Sequence, residues 1–304
     1  PLIVFPNAGL PELRNGETVF PLEPEPFGEQ TAALADLGAR VLGGCCGTTP
    51  DHIRALVRAL GNRRPVPTVP DEPDALVLTS RTVSVPVSVG HEGPAGGLAR
   101  GDRPLLVIGE RINPTGKKQL TAELQAGQFQ TALTYAREQV AAGSLVLDVN
   151  VGAPMVEEPV VLPALAERLV AQFPDVPLCL DTSDPRAVAE GLAVCPGSAL
   201  VNSISGEPGR LETMGPLCRD HGAPFILLPL TGKKLPVTAR DRIAVIEAML
   251  RQAEDLGIPR HLVLVDVLAL TVSSKADAAR HCLETIRYCR ETLRLPTVLG
   301  LSNI

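Results

Sequence analysis

Six apolar runs between Leu105 and Ile304 each end on an acid or an amide: LLVIGERIN, LVLDVN, LCLDTS, ALVNSIS, LVLVDV and TVLGLSN. Runs of this kind read as buried parallel strands, which puts Glu110, Asn113, Asp148, Asn150, Asp181, Asn202, Asp266 and Asn303 at or near carboxyl ends. In a closed barrel those ends surround one cavity. A ring of carboxylates and amides without histidine suits a neutral heterocycle rich in N–H and C=O groups, because each side chain is a fixed donor or acceptor. The plainer alternative is that Asp and Asn punctuate strand exits and cap the helices that follow.

The elements that must position this ring alternate regularly. After LLVIGE come helical periods near Gln119–Ala142, Val160–Phe173, Pro185–Ala193, Gly209–His221, Ala239–Leu256 and Ala276–Leu293, interleaved with SLVLDVN, PLCLDT, ALVNSI, FILLPL, LVLVDV and TVLGLSN. Gly143 and Gly257 stand where a glycine stops a helix. The expected fold is α/β, a (β/α)8 TIM-type barrel over 105–304, with the chain reaching its last residue before the final strand. A doubly wound sheet is the competing fold, but no glycine-rich fingerprint follows the first strand.

The first hundred residues differ in character. LIVFPNAG and ARVLGGCCG read as two further strands, and TPDHIRALVRAL as a helix capped by Thr49. Two βα units cannot bury a core alone, so residues 1–89 are expected to be the C-terminal part of a second (β/α)8 barrel and the start of a linker. The first residue, a proline, is then expected to lie inside a longer polypeptide. The stretch Arg63–Arg103 carries the Pro and Gly density of an interdomain linker, with a short extended element near Ala75–Val83, and the linker between the two domains is expected over 90–104.

Composition narrows the function classes. The chain has 304 residues, 45% hydrophobic and 20% charged, with a net charge of −6, no Trp and 3% aromatic residues. That leaves little to hold a phosphate backbone or stack bases, and nucleic acid is not an expected partner. No apolar stretch has bilayer-spanning length and no basic-then-apolar leader opens the sequence, so no membrane partner and a cytoplasmic location are expected. The cysteines, seven in all, lack the spacing of a disulfide scaffold, and Cys179, Cys282 and Cys289 read as core residues.

Cys45 and Cys46 form the sharpest local signal of the first segment. At an irregular strand exit flanked by glycines, two thiolates are able to converge on one soft ion such as zinc, though core packing explains vicinal cysteines equally well. A zinc site needs more ligands, and the nearest candidate, His52, reads as a surface residue of the following helix. Lys117-Lys118 and Lys233-Lys234 read as solvated loop positions.

These residues carry a family resemblance. VFPNAGLP with GGCCGTTPDHIRAL resembles the end of the homocysteine-binding barrel of the cobalamin-dependent methionine synthases, and IGERIN, LDVNVG, CLDTS, VNSISGE and VLGLSN, in order, resemble the folate barrel of the same family. The second barrel is similar also to methyltetrahydrofolate:corrinoid protein methyltransferases and, more distantly, to dihydropteroate synthases. The resemblance implies that Asp181, Asn202, Asp266 and Asn303 grip a pterin, with Glu110, Asn113, Asp148 and Asn150 on flanking strand ends. It implies methyl transfer from 5-methyltetrahydrofolate to cob(I)alamin borne on a corrinoid-carrying domain of the same polypeptide, with homocysteine as the final acceptor. It also implies that Cys45 and Cys46 ligate zinc in the intact homocysteine barrel.

Methyl transfer from N5 needs that nitrogen protonated or strongly hydrogen-bonded, since an amide-like anion is a poor leaving group. Asn303 is the expected hydrogen-bond partner of N5 and Asp181 its support. Two alternatives stand beside this one: a dihydropteroate synthase-like condensation, which calls for basic residues at the strand ends, and a folate-binding module without turnover.

Overall fold

The computed structural model describes residues 2–63, 75–88, 105–232, 235–270 and 277–300. The chain divides into two compact units, Pro1–Pro70 and Asp71–Ile304. The linker expected over 90–104, Asn303 and the pair Lys233-Lys234 lie outside the described residues.

In the first unit, β1 (Leu2–Val4) pairs in parallel with β4 (Ala39–Leu42). Between them run an antiparallel hairpin, β2 (Glu12–Arg14) and β3 (Glu17–Val19), and helix α1 (Pro24–Ala33). Helix α2 (Pro50–Leu60) follows β4 and packs on α1, burying Phe27, Ala32, Ala55 and Leu56. Thr49 caps α2 as expected, but His52 is not a surface residue: it is only 6% exposed. It sits three residues into the helix, where a Glu or Gln would complete a capping box, and its Nδ1 accepts from the Thr49 backbone N–H at 3.1 Å. That leaves Nε2 to carry the proton, which it donates to the Leu22 carbonyl at 2.8 Å. The imidazole is thus committed to joining α2 to the segment before α1.

The second unit opens with an antiparallel hairpin, β5 (Ala75–Thr79) and β6 (Ser84–Ser88), where the sequence suggests one extended element. The βα repeat then runs β7 (Ile108–Ile112), α3 (Lys118–Gln125), α4 (Gln130–Ala141), β8 (Val146–Val149), α5 (Glu158–Gln172), β9 (Leu178–Asp181) and α6 (Pro185–Val194). It continues β10 (Leu200–Ser205), α7 (Arg210–His221), β11 (Phe225–Leu228), α8 (Ala239–Asp255), β12 (Val263–Asp266), α9 (Ala278–Tyr288) and β13 (Thr297–Val298). Among the described residues these strands form a seven-stranded parallel sheet in sequential order, from β7 to β13. This is the α/β architecture of the TIM-type barrel.

One long helix expected over Gln119–Ala142 is two. Gly127 takes a left-handed conformation (φ 66°), and the Glu123 carboxylate accepts from the Thr131 backbone N–H (2.7 Å) and hydroxyl (2.5 Å), fixing the turn into α4. Gly143 and Gly257 are left-handed at the expected helix stops. Among the described residues, no helix is long and apolar enough to cross a membrane.

Alternation along the strands sorts the core. Leu147, Val149, Leu178, Leu180, Val201 and Val265 face the helices. On the opposite face Val146, Cys179, Leu200, Ile226 and Leu264 make an apolar layer, against which Leu76, Leu78 and Val85 of the β5–β6 hairpin pack. A strand advances to the same face every second residue, so the next inward positions are Asp148, Asp181, Asn202, Leu228 and Asp266. An apolar floor therefore lies below a polar rim.

Candidate functional site

The polar rim is a network. Asn202 Nδ2 on β10 donates to Asp148 Oδ1 on β8 at 3.1 Å, passing over β9. Asn150, just past β8, donates through Nδ2 to Asp181 Oδ2 on β9 at 2.8 Å, and its Oδ1 accepts from the Gly152 backbone N–H at 2.8 Å. Two Asn–Asp pairs therefore interlock across three strands, each amide fixing one carboxylate. On β12, Asp266 Oδ1 accepts from the Leu268 backbone N–H at 2.7 Å. Glu110 on β7 is exposed at the mouth. Asn113 serves its own turn, where its Oδ1 accepts from the Thr115 N–H at 2.9 Å.

Irregularities in the ladder fall on this rim. The β7–β8 register shifts between Gly109 and Ile112, and the β10–β11 register shifts between Val201 and Ile204, around Glu110 and Asn202 respectively. Bulges re-aim side chains at barrel rims, at the cost of unpaired backbone groups. The Arg111 N–H is met by Gln139 Oε1 at 2.7 Å, from a buried side chain on α4.

Burial governs the electrostatics. Asp148 is 1% exposed. Desolvation first, and the Asp181 carboxylate second, push it up to about 7, against the pull of the neighbouring Cys179 thiol and the Asn202 amide. Asp181 is raised as well, mainly by burial, with Asn150 opposing. Asp266 is raised by burial and held back by the Leu268 N–H and the Arg242 guanidinium. The site is thus a patch of carboxyl groups that all hold their protons more tightly than an ordinary aspartate.

Two supports were not expected from the sequence. Thr182 donates its hydroxyl to Glu158 Oε2 at 2.6 Å and accepts from the Asp184 N–H at 3.1 Å, tying the β9 exit to the start of α5. Arg242 is 0% exposed and gives its guanidinium to three carbonyls, Pro236 and Val267 at 3.1 Å and Val237 at 3.3 Å. It clamps the segment before α8 to the exit of β12. Its signal was present: Arg242 stands on the buried stripe with Ile246, Met249, Leu250 and Ala253, where a charge demands partners. Lys117 Nζ is committed to the Arg111 and Asn113 carbonyls (3.2 and 2.9 Å), close to the Tyr135 ring face.

In the first unit, Cys45 and Cys46 follow β4 and are exposed, with their Sγ atoms 3.8 Å apart. The Cys46 thiol is raised above its ordinary value, first by its hydrogen bond to Cys45. Among the described residues, no group of three or more His, Cys, Asp or Glu is placed to hold a metal ion. Two thiols alone do not complete a zinc site.

Comparison with known proteins agrees with this division. Residues 109–304 match the family described as "Pterin binding enzyme", and residues 1–60 match the family described as "Homocysteine S-methyltransferase". The chain is 31% identical over 317 residues to a methionine synthase of Mycobacterium tuberculosis and 31% identical over 322 residues to one of Mycobacterium leprae. All of this chain is covered in both alignments, but only 25% of either relative, so it spans about a quarter of their length. Among solved structures, the fold is similar to Yersinia pestis dihydropteroate synthase with a pterine-sulfa conjugate (TM-score 0.51, 21% identity, 74% of this chain and 77% of that one). It is similar also to the Xanthomonas albilineans enzyme in complex with 7,8-dihydropteroate (TM-score 0.50, 21% identity, 75% and 77%). With the polar-rimmed barrel and a match over residues 109–304, the chain belongs to the pterin-binding enzyme family.

Proposed function

We propose that the second unit binds 5-methyltetrahydrofolate through its pterin ring and delivers the N5-methyl group to cob(I)alamin on another module, within methionine synthesis from homocysteine. The observation that carries this reading is the pair of interlocked Asn–Asp contacts at the barrel mouth, in a chain similar along its whole length to methionine synthases. Asp181 and Asp266 each keep a carboxylate oxygen for the amino and ring N–H groups of a pterin. Asn202, its Nδ2 given to Asp148, offers its carbonyl oxygen. Glu110, Asn113 and Asn150 line or brace the mouth.

When bound, cob(I)alamin supplies the nucleophile that takes the methyl group. The chain's own residues act at N5, which keeps the bonding electron pair as the methyl departs and must gain a proton to leave as a neutral amine. Asn303 hydrogen-bonds N5 and relays that proton, with Asp181 in support. In an intact homocysteine barrel, Cys45 and Cys46 would bring two of the thiolates of a zinc site that activates homocysteine.

The test mixes the chain with 5-methyltetrahydrofolate and chemically reduced cob(I)alamin and follows the visible spectrum. Methylcobalamin should form, and Asn303→Ala should slow its formation by about a hundredfold, within the range that positioned acid–base groups contribute. Pterin binding without methylcobalamin would leave a folate-binding module; an unchanged rate in the Asn303 variant would remove that residue's role.

A further inference from the structure

The pterin reading leaves one group of the rim unexplained. Asp148 is 1% exposed, too deep to meet a ligand face, yet its carboxyl group is met only by the Asn202 amide, which donates to Oδ1 at 3.1 Å, and by the weak pull of the Cys179 thiol. Among the described residues its Oδ2 is buried without a hydrogen-bond partner. The groups facing it are Glu110 from β7, Cys179 and Asp181 from β9, and Asn202 from β10; the layer beneath is apolar. None of these groups is a cation.

An ionised carboxylate in that setting is desolvated, has only an amide and a weakly donating thiol to hold it, and stands beside two carboxylates of like charge. A neutral carboxyl removes the repulsion and still offers Oδ1 to Asn202. The neighbouring Asp181 is better placed for charge, since Asn150 donates to its Oδ2 and it is only half-buried where Asp148 is fully buried. Two carboxyl groups at close quarters resolve in this way: one keeps the proton and the other the charge.

We propose, on the basis of the pterin reading, that Asp148 is a positioning residue held as a neutral carboxyl, which anchors the Asn202 amide and leaves Asp181 as the charged acceptor for the pterin N–H groups. The proton is stored beneath the site. Ionisation of Asp148 puts a second charge beside Asp181, so pterin affinity falls as pH rises through the titration of Asp148, near 7.

The experiment measures the Kd of 5-methyltetrahydrofolate against pH, from about 6 to about 8.5, for this chain and for Asp148→Asn and Asp148→Ala. The unaltered chain should weaken by about tenfold across the range. Asp148→Asn, which mimics the neutral acid, should restore binding to within about threefold of the parent at the acid end and show a flat profile. Asp148→Ala, leaving Asn202 unanchored, should bind about tenfold more weakly throughout. A flat profile for the parent, or an asparagine variant as weak as the alanine one at low pH, overturns the proposal. A carboxyl 13C titration of the unliganded chain separates this from failure of the pterin reading. If no folate binds, a midpoint for Asp148 near neutrality keeps the neutral carboxyl and discards the ligand, whereas an ordinary aspartate midpoint discards both.

Discussion

At the scale of residues, raised carboxyl pKa values make the rim a cost to stability at neutral pH. Asp148, Asp181 and Asp266 all bind protons more tightly in the folded chain than in the unfolded one. The folded state therefore holds more protons, and unfolding free energy falls as pH rises from the ordinary aspartate value of 3.8 to about 7, the window set by Asp148. For Asp148 alone the shift corresponds to a loss of roughly 4 kcal/mol between those limits. Urea denaturation at pH 5 and pH 8 should show lower stability at the higher pH, and Asp148→Asn should recover most of the difference; a variant no steadier than the parent at pH 8 would contradict it. The inward rim positions were legible in the sequence, because Asp148, Asp181, Asn202 and Asp266 each stand two places after an inward apolar residue of the same strand. Two buried basic side chains were less so. Arg242 looks like any helix charge until its place on the buried stripe is known, and His52 reads as a surface residue because histidine at the third helical position resembles no common capping pattern.

At the scale of elements, the strands and most helix stops followed from apolar runs and from Gly143 and Gly257. The break between α3 and α4 did not, because Gly127 sits in a window whose apolar spacing continues on both sides. Nor did the bulges on β7 and β10, which depend on tertiary partners such as Gln139. The β5–β6 hairpin lies in a stretch whose Pro and Gly density suggests a linker, yet its Leu76, Leu78 and Val85 pack on Val146, Cys179, Leu200, Ile226 and Leu264. It closes the apolar floor on which the polar rim rests. Leu78 is 1% exposed, so Leu78→Ala should cost about 3 kcal/mol through lost burial and the cavity left behind. Chemical denaturation measures this directly, and a loss below about 1 kcal/mol would mean that the hairpin only rests on the barrel.

At the scale of the whole molecule, the two units differ sharply in what holds them. The second buries an extended core along both faces of its sheet, from Ile112 through Leu295 on the helix side and from Leu76 through Leu264 on the other. The first, Pro1–Pro70, relies on Ala8, Phe27, Ala32, Ala39, Ala55 and Leu56, with Leu2, Ile3, Phe5 and Leu13 each more than half exposed. Chains of about 60 residues bury a smaller fraction of their surface than larger domains and are marginal on their own. The rim, its carboxylates and its clamps all belong to the second unit, so the chemistry proposed for the pterin should travel with it. Residues 71–304 expressed alone should show the far-UV circular dichroism of a folded α/β protein and bind 5-methyltetrahydrofolate within about threefold of the whole chain. Residues 1–70 alone should give the spectrum of a largely unfolded peptide. A second unit that loses the ligand when separated would place part of the site outside the barrel and undo the assignment of the ring to it.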